Sequence, residues 1–135
     1  MQMSQTKTGA LIVIRRKSNL KMFTEPAERI NSHISSRMIT SIFNKNGPLH
    51  DGAIVIDRDE LVAARVILPV TDKLNLPPEY GLRHRAALGM SEVTDSFIII
   101  VSEETGQISV AENGAIQKNI GIKLLTEKLE EDFGE

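Results

Sequence analysis

Three short clusters in this chain combine side chains that can bind, ionise or ligate: Leu49-His50-Asp51-Gly52-Ala53, Arg83-His84-Arg85 and Ser102-Glu103-Glu104-Thr105-Gly106. In the first, a carboxylate beside an imidazole can hold a divalent metal, and the glycine lets a ligand approach the backbone. Asp51-Gly52 would serve equally well as a plain turn supplying a positive φ. In the second, guanidinium groups can grip phosphate oxygens through paired donors, and a helix N-terminus would add its amides and dipole. Residues two apart on a regular helix diverge by about 200°, so either the helix begins irregularly or one of Arg83 and Arg85 serves another site or the scaffold. A solvated basic patch is the plainer alternative. In the third, Ser102 offers a hydroxyl to phosphate, and Glu103 or Glu104 could ligate a hard cation, although an acidic turn before a glycine is commonplace. His33 carries no such reading.

These clusters must be positioned by the elements around them. Short apolar runs alternate with helical patterns, which predicts an α/β fold with a central mixed sheet flanked by helices. Residues 9–14 and 97–101 are continuous apolar runs and read as strands buried on both faces. Ile34, Met38, Ile39, Ile42 and Phe43 recur at helical spacing, with Ser35 or Ser36 as cap, and the breaker cluster Asn44-Lys45-Asn46-Gly47-Pro48 ends that helix. Residues 53–56 and 61–68 read as a hairpin turning at Asp57–Glu60. Thr24–Ala27 reads as a loop around Pro26 and 72–78 as another. A second helix is expected from about Glu79 to Ser91, weakened by Gly81 and Gly89. Residues 107–111 read as a short strand, Asn113-Gly114 as a turn, and Leu125, Leu129 and Phe133 as one face of a last helix.

At 135 residues the chain suits one domain with one core. Sixteen basic against eighteen acidic residues leave a net charge of −2, so any phosphate site must be local rather than a global attraction to nucleic acid or anionic lipid. Zero cysteines exclude disulfides and thiolate metal sites, which fits the cytoplasm. The apolar runs fall far below the ~20 residues of a membrane span. The N-terminus lacks the cationic start and apolar stretch of a signal peptide. Gly-x-x-x-x-Gly-Lys-Ser/Thr, Gly-x-Gly-x-x-Gly, His-Glu-x-x-His and Gly-x-Ser-x-Gly are all absent, and 4% aromatic residues argue against stacking on nucleic-acid bases.

Taken together and in this order, Asp51-Gly52-Ala53, Arg83-His84-Arg85 and Ser102-Glu103-Glu104-Thr105-Gly106 resemble the defining motifs of the diadenylate cyclase (DAC) domain. The likeness runs from Thr6-Lys7-Thr8-Gly9-Ala10 through Leu49–Ala53, Leu68-Pro69 and residues 89–95 to about Gly114, and the Ser-Glu-Glu-Thr-Gly form looks most like the membrane-anchored cyclases. The resemblance implies a single catalytic domain with its core over 6–114 and a closing helix over 121–133. It implies condensation of two ATP into cyclic di-AMP with release of two pyrophosphates, by a homodimer whose protomers meet face to face, higher oligomers being possible. It further implies a divalent cation, Mg²⁺ or Mn²⁺, near His50, Asp51 and Glu104. Asp51 would activate the attacking 3′-hydroxyl, and Gly52 and Ala53 would lie beside the nucleotide. Arg83, His84, Arg85 and Ser102 would hold the phosphates, and Leu68 would lie against the adenine. The family's usual N-terminal transmembrane helices do not occur here, so the expectation is a soluble cytoplasmic domain of a membrane-attached parent, itself touching neither membrane nor nucleic acid. Where the family commonly has Thr before Arg-His-Arg this chain has Leu82, which removes a hydroxyl contact to phosphate. A module of the same fold that senses adenine nucleotides without turning them over is the alternative.

Overall fold

The computed structural model describes residues 3, 8–47 and 49–133, so Thr6-Lys7, Pro48 and the Phe133 side chain lie outside the described residues. Strands β1 (Ala10–Ile14), β2 (Glu28–His33), β3 (Ala53–Asp57), β4 (Glu60–Val66), β5 (Phe97–Val101), β6 (Ile108–Glu112) and β7 (Ala115–Gln117) form one sheet in the order β2-β4-β3-β1-β5-β6-β7. β1 and β3 pair in parallel and every other neighbour is antiparallel, so the sheet is mixed as expected.

Helices cover both faces, which is why β1 and β5 carry unbroken apolar runs. On one face Ala10, Ile12, Ile54, Ile56, Phe97, Ile99 and Val101 pack with Ile42 and Phe43 near α2 (Ser36–Ile42) and with Leu125 of α4 (Ile122–Phe133). On the other, Leu11, Val13, Val55, Ile98 and Ile100 meet Ala86, Ala87 and Met90 of α3 (Leu82–Val93). Leu125 is buried and Leu129 is packed beside it, as the four-residue spacing predicts.

Several boundaries move for local reasons. α2 begins at Ser36 rather than Ile34 because the Ser35 hydroxyl caps it, accepting from the Met38 amide at 3.0 Å. α3 begins after Gly81, which serves as its N-cap, and runs on to Val93. The short helix α1 (Lys21–Thr24), which takes Thr24 out of the expected loop, and the edge strands β2 and β7 were not anticipated. β2 exposes most of its residues and breaks register between Arg29 and Ser32, so it lacks the alternation that marks a half-buried strand. Gly89 tightens the α3 contact instead of weakening it: a Cβ there would meet the Pro69 carbonyl oxygen and lie 2.8 Å from both Pro69 C and Thr71 N.

Candidate functional site

One end of the sheet gathers the start of β2, the end of β4, the starts of β3 and β1 and the end of β5, because Glu28 pairs with Ala64, Ala53 with Val66 and Ala10 with Val101. A cleft of about 840 Å³ runs along that end, within the roughly 300–1,000 Å³ typical of small-molecule sites. Its floor is aliphatic, from Leu11, Val66, Leu68 and Ile100, and its walls carry Asp51, Arg65, Arg83, His84, Ser102, Glu103 and Glu104.

The three sequence clusters therefore meet, though not with every member. Asp51 is exposed on the wall and Gly52 lies beside it with φ +92. The turn geometry is real: a Cβ on Gly52 would come 2.9 Å from Val66 O and 3.0 Å from Arg65 C, backbone against backbone. Ala53 is fully buried at the start of β3 and does not line the cleft. His50 also lies off the lining; its Nδ1 sits 2.8 Å from Gly47 O, an oxygen that only accepts, so Nδ1 carries the proton.

α3 starts at the cleft with no side-chain cap, leaving its first-turn amides without an intrahelical partner beside Arg83 and His84. Arg85 is half-buried away from the lining and its carbonyl accepts from Thr71 N at 3.1 Å, so of the two arginines only Arg83 faces the cleft. The regular-helix divergence holds. The Arg83 guanidinium lies over Gly9 at the start of β1 and reaches Glu103 at 3.5 Å. Gly9 lies off the lining but beneath Arg83, a contact the sequence did not disclose, since that side chain is 74 positions away in the chain.

A Cβ at Gly9 would fall 2.7–2.9 Å from the Arg83 guanidinium atoms. That group is the mobile end of its side chain and would yield, so Gly9→Ala should leave the thermal midpoint nearly unchanged. It should weaken binding of a phosphate-bearing ligand by about 10- to 100-fold, the equivalent of one displaced charged hydrogen bond. Calorimetric titration with an adenosine triphosphate analogue checks this, and unchanged affinity would refute the positioning role.

His84 stacks on Tyr80, ring centroids 5.1 Å apart and planes 10° from parallel, while Lys118 lies 5.3 Å over the other aromatic partner's centroid and pairs with Glu79 at 2.5 Å. Burial, and then the nearby Lys118 and Arg83 charges, hold the His84 pKa below its ordinary value against the pull of Glu79. The ring is therefore neutral at pH 7, a hydrogen-bonding partner rather than a third cation. Ser102 Oγ accepts from Glu104 N at 3.2 Å and Thr105 N at 3.3 Å, which fixes the turn and leaves the hydroxyl proton to donate.

Residues 1–116 match the family described as DisA bacterial checkpoint controller nucleotide-binding, DAC. The chain is 43% identical over 131 residues to "Cyclic di-AMP synthase CdaA" of Bacillus subtilis, spanning 97% of this chain and 48% of that protein. It is 44% identical over 118 residues to "Diadenylate cyclase" of Listeria monocytogenes, spanning 87% and 43%. It thus spans about half the length of the curated relatives it matches. The fold superimposes on a crystal structure of DacA from Staphylococcus aureus, a double mutant, with a TM-score of 0.95, 39% identity and coverage of 99% of this chain and 89% of that one. A hypothetical membrane spanning protein from Bacillus cereus matches with a TM-score of 0.84 at 41% identity, over 89% and 59%. With the family motifs meeting in one cleft and most of the chain matched, this protein belongs to the DAC nucleotide-binding family.

Proposed function

We propose that the chain is the catalytic domain of a diadenylate cyclase, which condenses two ATP into cyclic di-AMP and releases two pyrophosphates. The observation that carries this reading is the convergence of Asp51, Arg83, His84, Ser102 and Glu104 on one cleft over an aliphatic floor. Adenine would rest on that floor against Leu68, and the triphosphate would lie toward Arg83, Ser102 and the open amides of α3. That places the ribose near Asp51. There the carboxylate takes the proton of the 3′-hydroxyl. The 3′-oxygen bonds to the α-phosphorus of a second ATP, and the bond from that phosphorus to the bridging oxygen breaks, pyrophosphate leaving with the electron pair. Ala53 would support the nucleotide from beneath, and Arg85 would act through the α3 scaffold rather than by touching phosphate.

Among the described residues no three His, Asp or Glu side chains are clustered as a ready-made cation cage. A hard cation such as Mg²⁺ or Mn²⁺ that takes its remaining ligands from phosphates needs only one or two carboxylates, and Asp51 and Glu104 both line the cleft. His50, with its Nδ1 engaged by Gly47 O, leaves Nε2 as the nitrogen that would ligate metal. When bound, the cation would offset charge on the phosphates undergoing transfer.

The product is two-fold symmetric and both bonds form alike, so two protomers must meet face to face, each bringing one ATP. The domain would work on the cytoplasmic side of a membrane-attached parent. Among the described residues no helix is long and apolar enough to cross a membrane, so any anchor would belong to another part of that parent. A nucleotide sensor of the same fold is the second reading, favoured by Leu82, which is 71% exposed at the cleft where the family commonly offers a hydroxyl.

Incubation with ATP and Mg²⁺ or Mn²⁺, followed by mass spectrometry across protein concentrations, tests the proposal. Cyclic di-AMP should form with a rate steeper than linear in protein. Tight ATP binding without pyrophosphate release would select the sensor instead.

A further inference from the structure

We propose that Arg65 is a phosphate-binding residue that serves the nucleotide held by the opposing protomer, an inference that rests on the two-protomer reading above. Ala53 pairs with Val66 and Val55 with Ala63, so Ala64 and Arg65 together oppose Ile54, and β4 bulges there. Arg65 occupies the left-handed region, with φ 55, inside a strand. Such a conformation is strained for a non-glycine residue and is found preferentially at functional sites, where bulges re-aim side chains. Here the bulge sets an exposed arginine in the cleft lining. Among the described residues Arg65 has no ion pair or side-chain hydrogen bond, although Glu28 lines the same cleft.

Its position along the sheet end decides which phosphate it serves. The order along this end of the sheet is Glu28 on β2, Arg65 on β4, Asp51-Gly52 before β3, Gly9 before β1 and Ser102 after β5, all of them but Gly9 lining the cleft. Arg83 lies over Gly9, and the Arg65 backbone lies against Gly52. Asp51 therefore has one guanidinium on each side. If Arg83 and Ser102 hold the protomer's own triphosphate, the 3′-hydroxyl at Asp51 must meet an α-phosphorus brought by the partner. Arg65 is the cation on the far side of Asp51, where charge builds on a phosphate that its own Arg83 does not hold.

Arg65→Asn and Arg65→Gly both suit a left-handed backbone, so loss of function in these variants cannot be assigned to misfolding. Both should keep or raise the melting temperature. Affinity of dilute protein for a non-hydrolysable ATP analogue should stay within about twofold, while cyclic di-AMP formation falls by about 10- to 100-fold, the equivalent of one charged hydrogen-bond donor. Turnover at the unsubstituted level would overturn the proposal. So would a fall in analogue affinity as large as the fall in turnover, since Arg65 would then hold its own protomer's nucleotide. An unsubstituted chain that makes no product would overturn the cyclase reading itself, and this inference with it.

Discussion

Asp51→Asn should fold normally and make no measurable cyclic di-AMP. Asp51 is exposed at the cleft, and Asn has nearly the same shape, so the stability change should stay within about 0.5 kcal/mol. Turnover depends on the charge that Asn lacks. The carboxylate is proposed to take the 3′-hydroxyl proton, and a positioned base contributes about 10²–10⁴-fold. With Glu104 it is also one of the two carboxylates proposed to hold a cation, so the loss should reach the upper part of that range. Circular dichroism melting together with product quantification by mass spectrometry checks both halves. A folded variant that still made cyclic di-AMP at the normal rate would remove Asp51 from the chemistry.

The second large effect is expected far from any reacting atom, in Gly89→Ala. Two forces compete there. Alanine favours a helix interior over glycine by up to about 1 kcal/mol. Against this, its Cβ would run into the Pro69 carbonyl and come 2.8 Å from Thr71 N, which are backbone atoms without a rotamer to escape into. Overpacking of this kind typically costs about 1–3 kcal/mol and sometimes more, so collision should win. The loop cannot simply swing away. Thr71 N donates to Arg85 O at 3.1 Å, Thr71 Oγ1 to Glu92 at 3.2 Å, and Lys73 pairs with Glu92 at 3.6 Å. All three tie the loop to α3, so relief requires the two to part against these bonds, which shifts Arg83 and His84 relative to Leu68. The denaturant midpoint should therefore fall, and ATP affinity with it. A variant as stable as the parent would show that the loop yields more readily than these bonds imply.

The comparison of β1 with β2 shows what the sequence could disclose. β1 and β5 announce themselves because helices bury them on both sides, and an unbroken run such as Phe97–Val101 has few other uses. β2 has one open flank, a break in register and Asn31 at positive φ, so its pairing with β4 depends on contacts that local pattern does not encode. The site divides in the same way. The divergence of Arg83 and Arg85 follows from helix geometry alone, and the structure turns Arg85 away as that geometry requires. Gly9 beneath Arg83 joins segments distant in the chain, and Arg65 on its bulge depends on the β3–β4 register, so both are legible only once the strands are paired, whereas Tyr80 against His84 is a local contact between residues four apart.

The pairing of Ala10 with Val101 also fixes when the site can come into being. The wall contributed by Ser102 and Glu104 docks beside β1, which is synthesised well before it. A nascent chain that has not yet released β5 from the ribosome has Asp51 and Arg83 and can pair β1 with β3, but the other flank of β1 stays an open edge. Nucleotide binding is thus reserved for a domain whose β5 has emerged, and the cleft should stay incomplete until that strand pairs with β1.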